Sequence, residues 1–337
     1  MSVTIKEIAK RSGLSVPTVS RILNSDSEQF RPATREKVLR AARELGYRPN
    51  SYRMALRTKR FNAIGLLVGP RRVDCAATGS MMRTLLAELH DRNQHLVVGQ
   101  VAGGAEQSES LAPKMLREWS VDGMLMDCDE TLPGIVEQLI DDNKIPAIWL
   151  NCRRANDCIY PDDESGAREA TERLLKIGHR RIAFVSLDGE HSQRERQAGY
   201  ESAMKDAAMP RQAIAPKETV PQADRLDHLS DWLGKHREQA PTAVVCAGRS
   251  ESLALFTAAM GAGMSVPQDL SIFGMHDEPM DDPGRRITAM CVPASEIATQ
   301  GLAALNERIA EPARAFEPRA LPLAYCEGTT LAPPGGV

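Results

Sequence analysis

From Phe61 onward the chain alternates strand-length apolar runs with amphipathic stretches of helical period, and this alternation narrows the possible folds more than any other feature. The apolar runs are residues 63–68, 96–101, 123–126, 147–150, 182–185, 243–246 and 271–273; helical patterns such as 81–91, 132–141, 164–177, 194–207 and 252–260 lie between them. Strand alternating with helix predicts parallel sheets covered by helices on both faces, an α/β body. A segment of about 275 residues is large for one such sheet and natural for two.

The first sixty residues have a different texture. Thr4-Ile5-Lys6-Glu7 has capping-box spacing, so a helix is expected to start there and to break at Ser12-Gly13, where glycine can take the left-handed conformation of a tight turn. A second helix follows, with Ser15 as N-cap, Pro17 tolerated in the first turn, and Val19 and Ile22 facing inward. A third runs from about Pro32 to Leu45, with Val38, Ala41, Ala42 and Leu45 at helical spacing and Gly46 as its stop. Two short helices joined by a glycine turn, closed by a third, make a helix-turn-helix head.

Charge separates the head from the body. Residues 1–60 hold 14 basic and 5 acidic side chains, a net of +9, whereas the rest carries a net of −12 within an overall −3. A basic head on an acidic body points to a polyanion partner for the head alone. Thr18, Ser20, Arg21, Asn24, Thr34 and Arg35 put small hydrogen-bonding and basic groups where phosphates would pass.

Other classes are disfavoured. The N-terminus has Lys6 and Glu7 in place of an apolar export signal, and no run approaches 18 uncharged apolar residues, so a cytoplasmic, nucleoid-associated protein is expected, with no membrane partner. Seven widely spaced cysteines without a Cys-x-x-Cys fit reduced thiols better than disulfides or a metal site, and no cofactor is expected.

Four ordered blocks then carry a specific likeness. Ser15-Val16-Pro17-Thr18-Val19-Ser20-Arg21-Ile22-Leu23-Asn24, Thr34-Arg35-Glu36-Lys37-Val38, Leu45-Gly46-Tyr47-Arg48-Pro49-Asn50 and Ala55-Leu56-Arg57 resemble the DNA-binding head and hinge of the lactose-repressor/galactose-repressor (LacI/GalR) family. The resemblance implies a second helix lying in the major groove and a DNA-facing set of Thr4, Ser15, Val16, Pro17, Thr18, Ser20, Arg21, Asn24, Thr34, Arg35 and Tyr47. Arg21 matches a base-reading position, where its fork suits guanine O6 and N7; Val16 and Pro17 have no side-chain donor or acceptor and could read only shape or a thymine methyl. Residues from Asn50 to about Arg57 resemble a hinge helix that orders on DNA, with Leu56 as the apolar wedge in the minor groove.

The likeness continues in the body, through residues 175–183, 194–200 and 266–274 and the ending at Thr329-Thr330. It implies a periplasmic-binding-protein-like body of two α/β subdomains with a small molecule in the cleft between them. The expected organisation is a head at 1–48, a hinge at 49–60 and an effector-binding and dimerisation body at 61–337. Its subdomains are about 61–160 with 289–319, and about 161–288 with 320–337, so the crossings fall near Tyr160-Pro161, Thr288-Ala289 and Arg319-Ala320. The chain stops at Val337 without a leucine heptad, so a homodimer is expected in place of a tetramer.

The effector positions depart from the family's pattern. Arg196 matches an arginine with which relatives hold effector hydroxyls or carboxylates, and Asn151 falls at a polar contact. Arg249 follows Gly248 where relatives carry an Asn-Asp pair, and His276 replaces an aspartate, with Asp277 after it. Residues 69–77 hold no aromatic to stack on a sugar face. One reading has Arg196, Arg249 and His276 together recognising a sugar acid or sugar phosphate. The other has a degenerate cleft in which Arg249 and His276 pair with Asp277 or Glu251 and no small molecule binds.

A repressor that binds a near-palindromic operator as a dimer, modulated by a sugar or anionic sugar derivative, is the expected function. An architectural DNA-binding protein with a degenerate cleft is the alternative. A sugar-transport module would need export and no basic head. An enzyme would need more than Gly248-Arg249-Ser250-Glu251-Ser252, an incomplete nucleophile elbow with no histidine pinned to it, and neither Gly-x-Gly-x-x-Gly nor a P-loop follows any expected strand.

Overall fold

The computed structural model describes residues 3–24, 29–48, 55, 58–70, 72, 75–101, 112–128, 132–187, 191–214, 219–235, 240–279 and 286–335. The chain divides into two compact units, Met1–Asn62 and Ala63–Val337.

In the first unit, α1 (Ile5–Ser12), α2 (Val16–Asn24) and α3 (Pro32–Glu44) fall where the sequence signals put them. The Thr4 amide donates to Glu7 Oε2 at 2.7 Å and its hydroxyl donates to the same oxygen at 2.9 Å. These donors hold the Glu7 carboxyl below its ordinary value, the backbone bond first. Gly13 ends α1 at φ 66°, a left-handed conformation that costs glycine little. The Ser15 hydroxyl accepts the Thr18 amide at 3.3 Å, which starts α2. Ile8, Val19, Ile22, Val38, Ala41 and Ala42 form the core, with Phe30, Leu45 and Tyr47 packed against it. Burying a side chain such as Ile8 contributes about 1.5–3 kcal/mol, whereas the exposed Arg11–Glu44 pair at 2.8 Å adds little.

The second unit holds two six-stranded sheets, in the orders β11-β5-β4-β3-β1-β2 and β12-β10-β9-β8-β6-β7. The first joins β1 (Ala63–Val68), β2 (His95–Gln100), β3 (Gly123–Asp127), β4 (Ala147–Leu150), β5 (Cys158–Pro161) and β11 (Arg319–Leu321), all parallel. The second joins β6 (Ile182–Val185), β7 (Gln212–Ile214), β8 (Ala243–Cys246), β9 (Ser271–His276) and β10 (Thr288–Cys291) in parallel, with β12 (Ala324–Cys326) antiparallel at its edge. The central strands β1, β3, β6, β8 and β9 are buried along their whole length, as covering helices on both faces require.

The connecting helices are α4 (Ala76–Asp91), α5 (Lys114–Arg117), α6 (Gly134–Asp142), α7 (Asp163–Lys176), α8 (His191–Asp206), α9 (Arg225–Lys235), α10 (Arg249–Gly261) and α11 (Ala294–Ala310). Although α11 follows a strand of the second sheet, its Ile297, Leu302 and Leu305 share a core with Ile64, Leu85 and Leu125 of the first half. Tyr200 pins α8 to the second sheet: its hydroxyl donates to the Ile182 carbonyl at 2.8 Å and accepts the Gln212 amide at 2.9 Å. No helix among the described residues is long and apolar enough to cross a membrane.

The crossings differ from expectation. Each dipeptide read as a crossing lies inside a strand, β5, β10 or β11, and the chain changes halves just after them, at 162, 292–293 and 322–323. These short segments look like linkers in sequence. Ladder pairing with β4, β9 and β5 carries each sheet two or three residues further than the composition signals.

Candidate functional site

On the head, α2 buries Val19 and Ile22 and leaves Val16, Pro17 and Arg21 exposed, Val16 at 41%. The outward residues are therefore those read as base-contacting, and Arg21 has no ion-pair partner among the described residues. Ser15 and Thr18 join hydroxyls at 2.8 Å at the start of the helix, Ser20 is half-buried, and Asn24 is its last residue. Thr34 is half-buried and Arg35 exposed in the first turn of α3; Tyr47 lies against the core, and Thr4 is committed to Glu7. Asn50 and Leu56, with most of the 49–60 hinge, lie outside the described residues.

In the body, the candidate groups collect at the carboxyl ends of parallel strands, where open α/β sheets place their ligands. Asp127, fully buried at the end of β3, accepts from Thr78 Oγ1 at 2.5 Å, Asn151 Nδ2 at 2.8 Å and Arg72 Nε at 3.1 Å. Burial alone would lower the Arg72 pKa, but the charges of Asp127 and Asp277 and the bond to Asp127 outweigh it and hold the guanidinium above its ordinary value. Asn151, at φ 59° just past β4, keeps its Oδ1 buried without a donor.

On the second half, Arg196 of α8 is buried, donating through Nε to Asp163 Oδ1 at 2.7 Å and through Nη1 to the Ala247 carbonyl at 2.5 Å. Burial pushes the Asp163 carboxyl up from its ordinary value, against the pull of Arg196. Glu251 is equally buried and accepts from the Leu187 amide at 3.2 Å and Gln193 Nε2 at 3.3 Å, with Arg225 at 3.8 Å. His276, at the end of β9 and 1% exposed, places Nε2 3.0 Å from Ser252 Oγ, and its Nδ1 has no partner. Burial, reinforced by the charge of Arg249, takes its pKa down to about 4.

This geometry corrects the expectation of three cations facing one ligand anion. Arg196 is balanced internally by Asp163, His276 is neutral at physiological pH, and Arg249 is exposed at the start of α10. The alternative pairing does not form either. Glu251 is taken by Arg225, Leu187 and Gln193, and Asp277 Oδ2 accepts a bond from the Cys75 thiol across the cleft at 3.0 Å. Burial holds that thiol up at about 11. A second bond between the halves, Ser80 Oγ to Glu278 Oε2 at 2.9 Å, lies beside it. The serine of the incomplete elbow, Ser250, touches Arg225 and Glu251 and no histidine.

Sequence reasoning missed Arg72, Asp127, Asp163 and Cys75. The available signal was position: Asp127 closes a strand and Arg72 follows one, at the ends where sites gather.

A helix-turn-helix head on a two-halved α/β body with a polar cleft defines a ligand-responsive class of DNA-binding regulator. Residues 4–50 match the model for bacterial regulatory proteins of the lacI family, and residues 171–331 match a periplasmic binding protein-like domain. The chain therefore joins a DNA-binding domain of the lacI type to a periplasmic binding protein-like domain, the pairing found in LacI-family transcriptional regulators. It is 29% identical to the HTH-type transcriptional regulator GalS of Salmonella typhimurium, over 89% of this chain and 90% of that protein. It is 27% identical to the ribose operon repressor of Haemophilus influenzae, over 92% of both. The crystal structure of the lac repressor dimer bound to operator and the anti-inducer ONPF has the same fold, with a TM-score of 0.80 and 22% identity over 98% of this chain and 100% of that one.

Proposed function

We propose that the protein is a repressor that binds a near-palindromic operator as a homodimer in the cytoplasm, and that a small polar effector between the halves of its body sets operator affinity. The observation that carries the DNA-binding half is the outward face of α2, where Val16, Pro17 and Arg21 stand free while Val19 and Ile22 close the core. Residues 1–48 act as the reading head, 49–60 as the hinge, and 61–337 as the effector and dimerisation body. Catalysis has no part in this role.

The effector half rests on two unpartnered polar atoms on opposite halves of the body. Asn151 Oδ1 and His276 Nδ1 are both buried without a hydrogen-bond partner, and the hydroxyls of a ligand, which both donate and accept, can serve each of them. A ligand shifts the operator affinity only through its differential affinity for two arrangements of the halves. Footprinting on DNA flanking the protein's own gene tests the reading: one protected, near-palindromic site is expected, and broad coverage without a defined site overturns it in favour of an architectural role. That second reading is favoured by the Cys75–Asp277 and Ser80–Glu278 bonds, which join the halves directly.

A further inference from the structure

Residues 292–325 form an excursion of the chain from the second half of the body into the first. It leaves at 292–293, builds α11 and β11, which belong to the core and the sheet of the first half, and returns at 322–323 to β12. A cysteine stands at each end of the excursion. Cys291 is the last residue of β10 and Cys326 the last of β12, and both are free thiols.

The antiparallel ladder puts the two on one face of the sheet. Ala289 pairs with Cys326 and Cys291 with Ala324, so Cys291 and Cys326 are diagonal neighbours. The Cys326 thiol turns along its strand toward that diagonal, 3.8 Å from the Ala324 carbonyl, and lies within hydrogen-bonding reach of Cys291. Diagonal neighbours stand about 7–8 Å apart, a little beyond the usual span of a disulfide. Strand β12 can close that gap, because it is three residues long and lies at the sheet's edge, paired on one side only. Access differs between the two sulfurs. Cys326 is half-buried, whereas Cys291 is 3% exposed, and its thiol is held above its ordinary value by burial first and then by Cys326, Asp277 and Glu278. A reagent in solution can reach Cys326, and Cys291 can meet only what Cys326 presents to it.

We infer that Cys291 and Cys326 form a reversible redox site that a small disulfide closes, stapling the exit and the re-entry of the excursion together. The Cys326 thiolate attacks one sulfur of the small disulfide, whose S–S bond breaks and whose other sulfur leaves as a thiolate. Cys291 then attacks Cys326 Sγ in the mixed disulfide, the second small thiolate leaves, and the protons shed by the two cysteines end on the two small thiols. Two protein thiols are oxidised to one disulfide while one small disulfide is reduced to two thiols, so the exchange balances. The closed bond fixes the spacing of two of the three crossings where they leave the second half, and so restrains movement of one half against the other.

Incubating the full chain with oxidised glutathione, followed by acid quenching and peptide mapping without reductant, tests it. A 291–326 disulfide that dithiothreitol reopens is expected. Cys291→Ser should stop at a stable glutathione adduct on Cys326, and Cys326→Ser should leave Cys291 unmodified; thermal midpoints near that of the wild type show that both variants fold. Amide hydrogen exchange along β12 should slow at least about threefold in the oxidised wild type. A wild-type adduct that persists on Cys326 without the 291–326 bond, no reaction at Cys326, or a bond that leaves exchange along β12 unchanged each overturns the inference.

Discussion

Arg196 donates to Asp163 at 2.7 Å, with 8% and 3% of the two side chains exposed, so the arginine expected to reach for an effector is half of a buried ion pair. It also fills the Ala247 carbonyl, and so ties α8 to the starts of α7 and of the segment after β8.

Removing one partner strands the other charge. Asp163→Ala should cost about 3–5 kcal/mol, whereas the double change Asp163→Leu with Arg196→Met should cost much less. Urea unfolding of the three proteins measures both, and equal losses would show that the pair is not coupled.

His276 makes stability pH-dependent. Its folded pKa, about 4, lies below the ordinary 6.5, so between those values the unfolded chain binds a proton that the folded chain refuses. Stability from this group is complete above pH 6.5 and declines as pH falls toward 4, by about 3 kcal/mol at most. The wild-type minus His276→Gln difference, measured by urea unfolding at pH 7.5 and 4.5, should shrink at the lower pH; a constant difference would remove the buried-neutral assignment.

Two glycines should respond oppositely to alanine. A Cβ at Gly199 would sit 2.0 Å from the Glu164 carbonyl oxygen, where α8 crosses α7, so Gly199→Ala should destabilise by about 1–3 kcal/mol. Gly234, in α9 with nothing within 4 Å, should gain about 0.5–1 kcal/mol from the same change. Thermal midpoints moving in the same direction would contradict the close helix crossing.

On DNA, Arg21→Ala should cost about 1–3 kcal/mol and relax preference at one base pair per half-site. Gel-shift titration against a set of operator variants reads this directly. A uniform loss on every sequence would make Arg21 a phosphate contact.

The head was legible almost residue by residue because its signals are local: Glu7 is three residues from Thr4, Gly13 and Gly46 each take the left-handed turn they announce, and Val19 and Ile22 share one face of a single helix. The strands at 63–68, 147–150, 182–185 and 243–246 were equally legible, since continuous apolar runs have few other places to go. Strands β5, β7, β10, β11 and β12 were not. They are three or four residues long, and partners elsewhere in the chain supply the ladder that makes them strands.

The sequence by itself determined an α/β body, a basic helix-turn-helix head and the side chains that head turns outward. Only the tertiary structure decided the charge of the cleft. The partners there stand far apart in the chain, Arg72 from Asp127 by 55 residues, Arg196 from Asp163 by 33 and Cys75 from Asp277 by 202, and whether an arginine is free or an imidazole neutral depends on which of them folding brings within reach and how much water it leaves there.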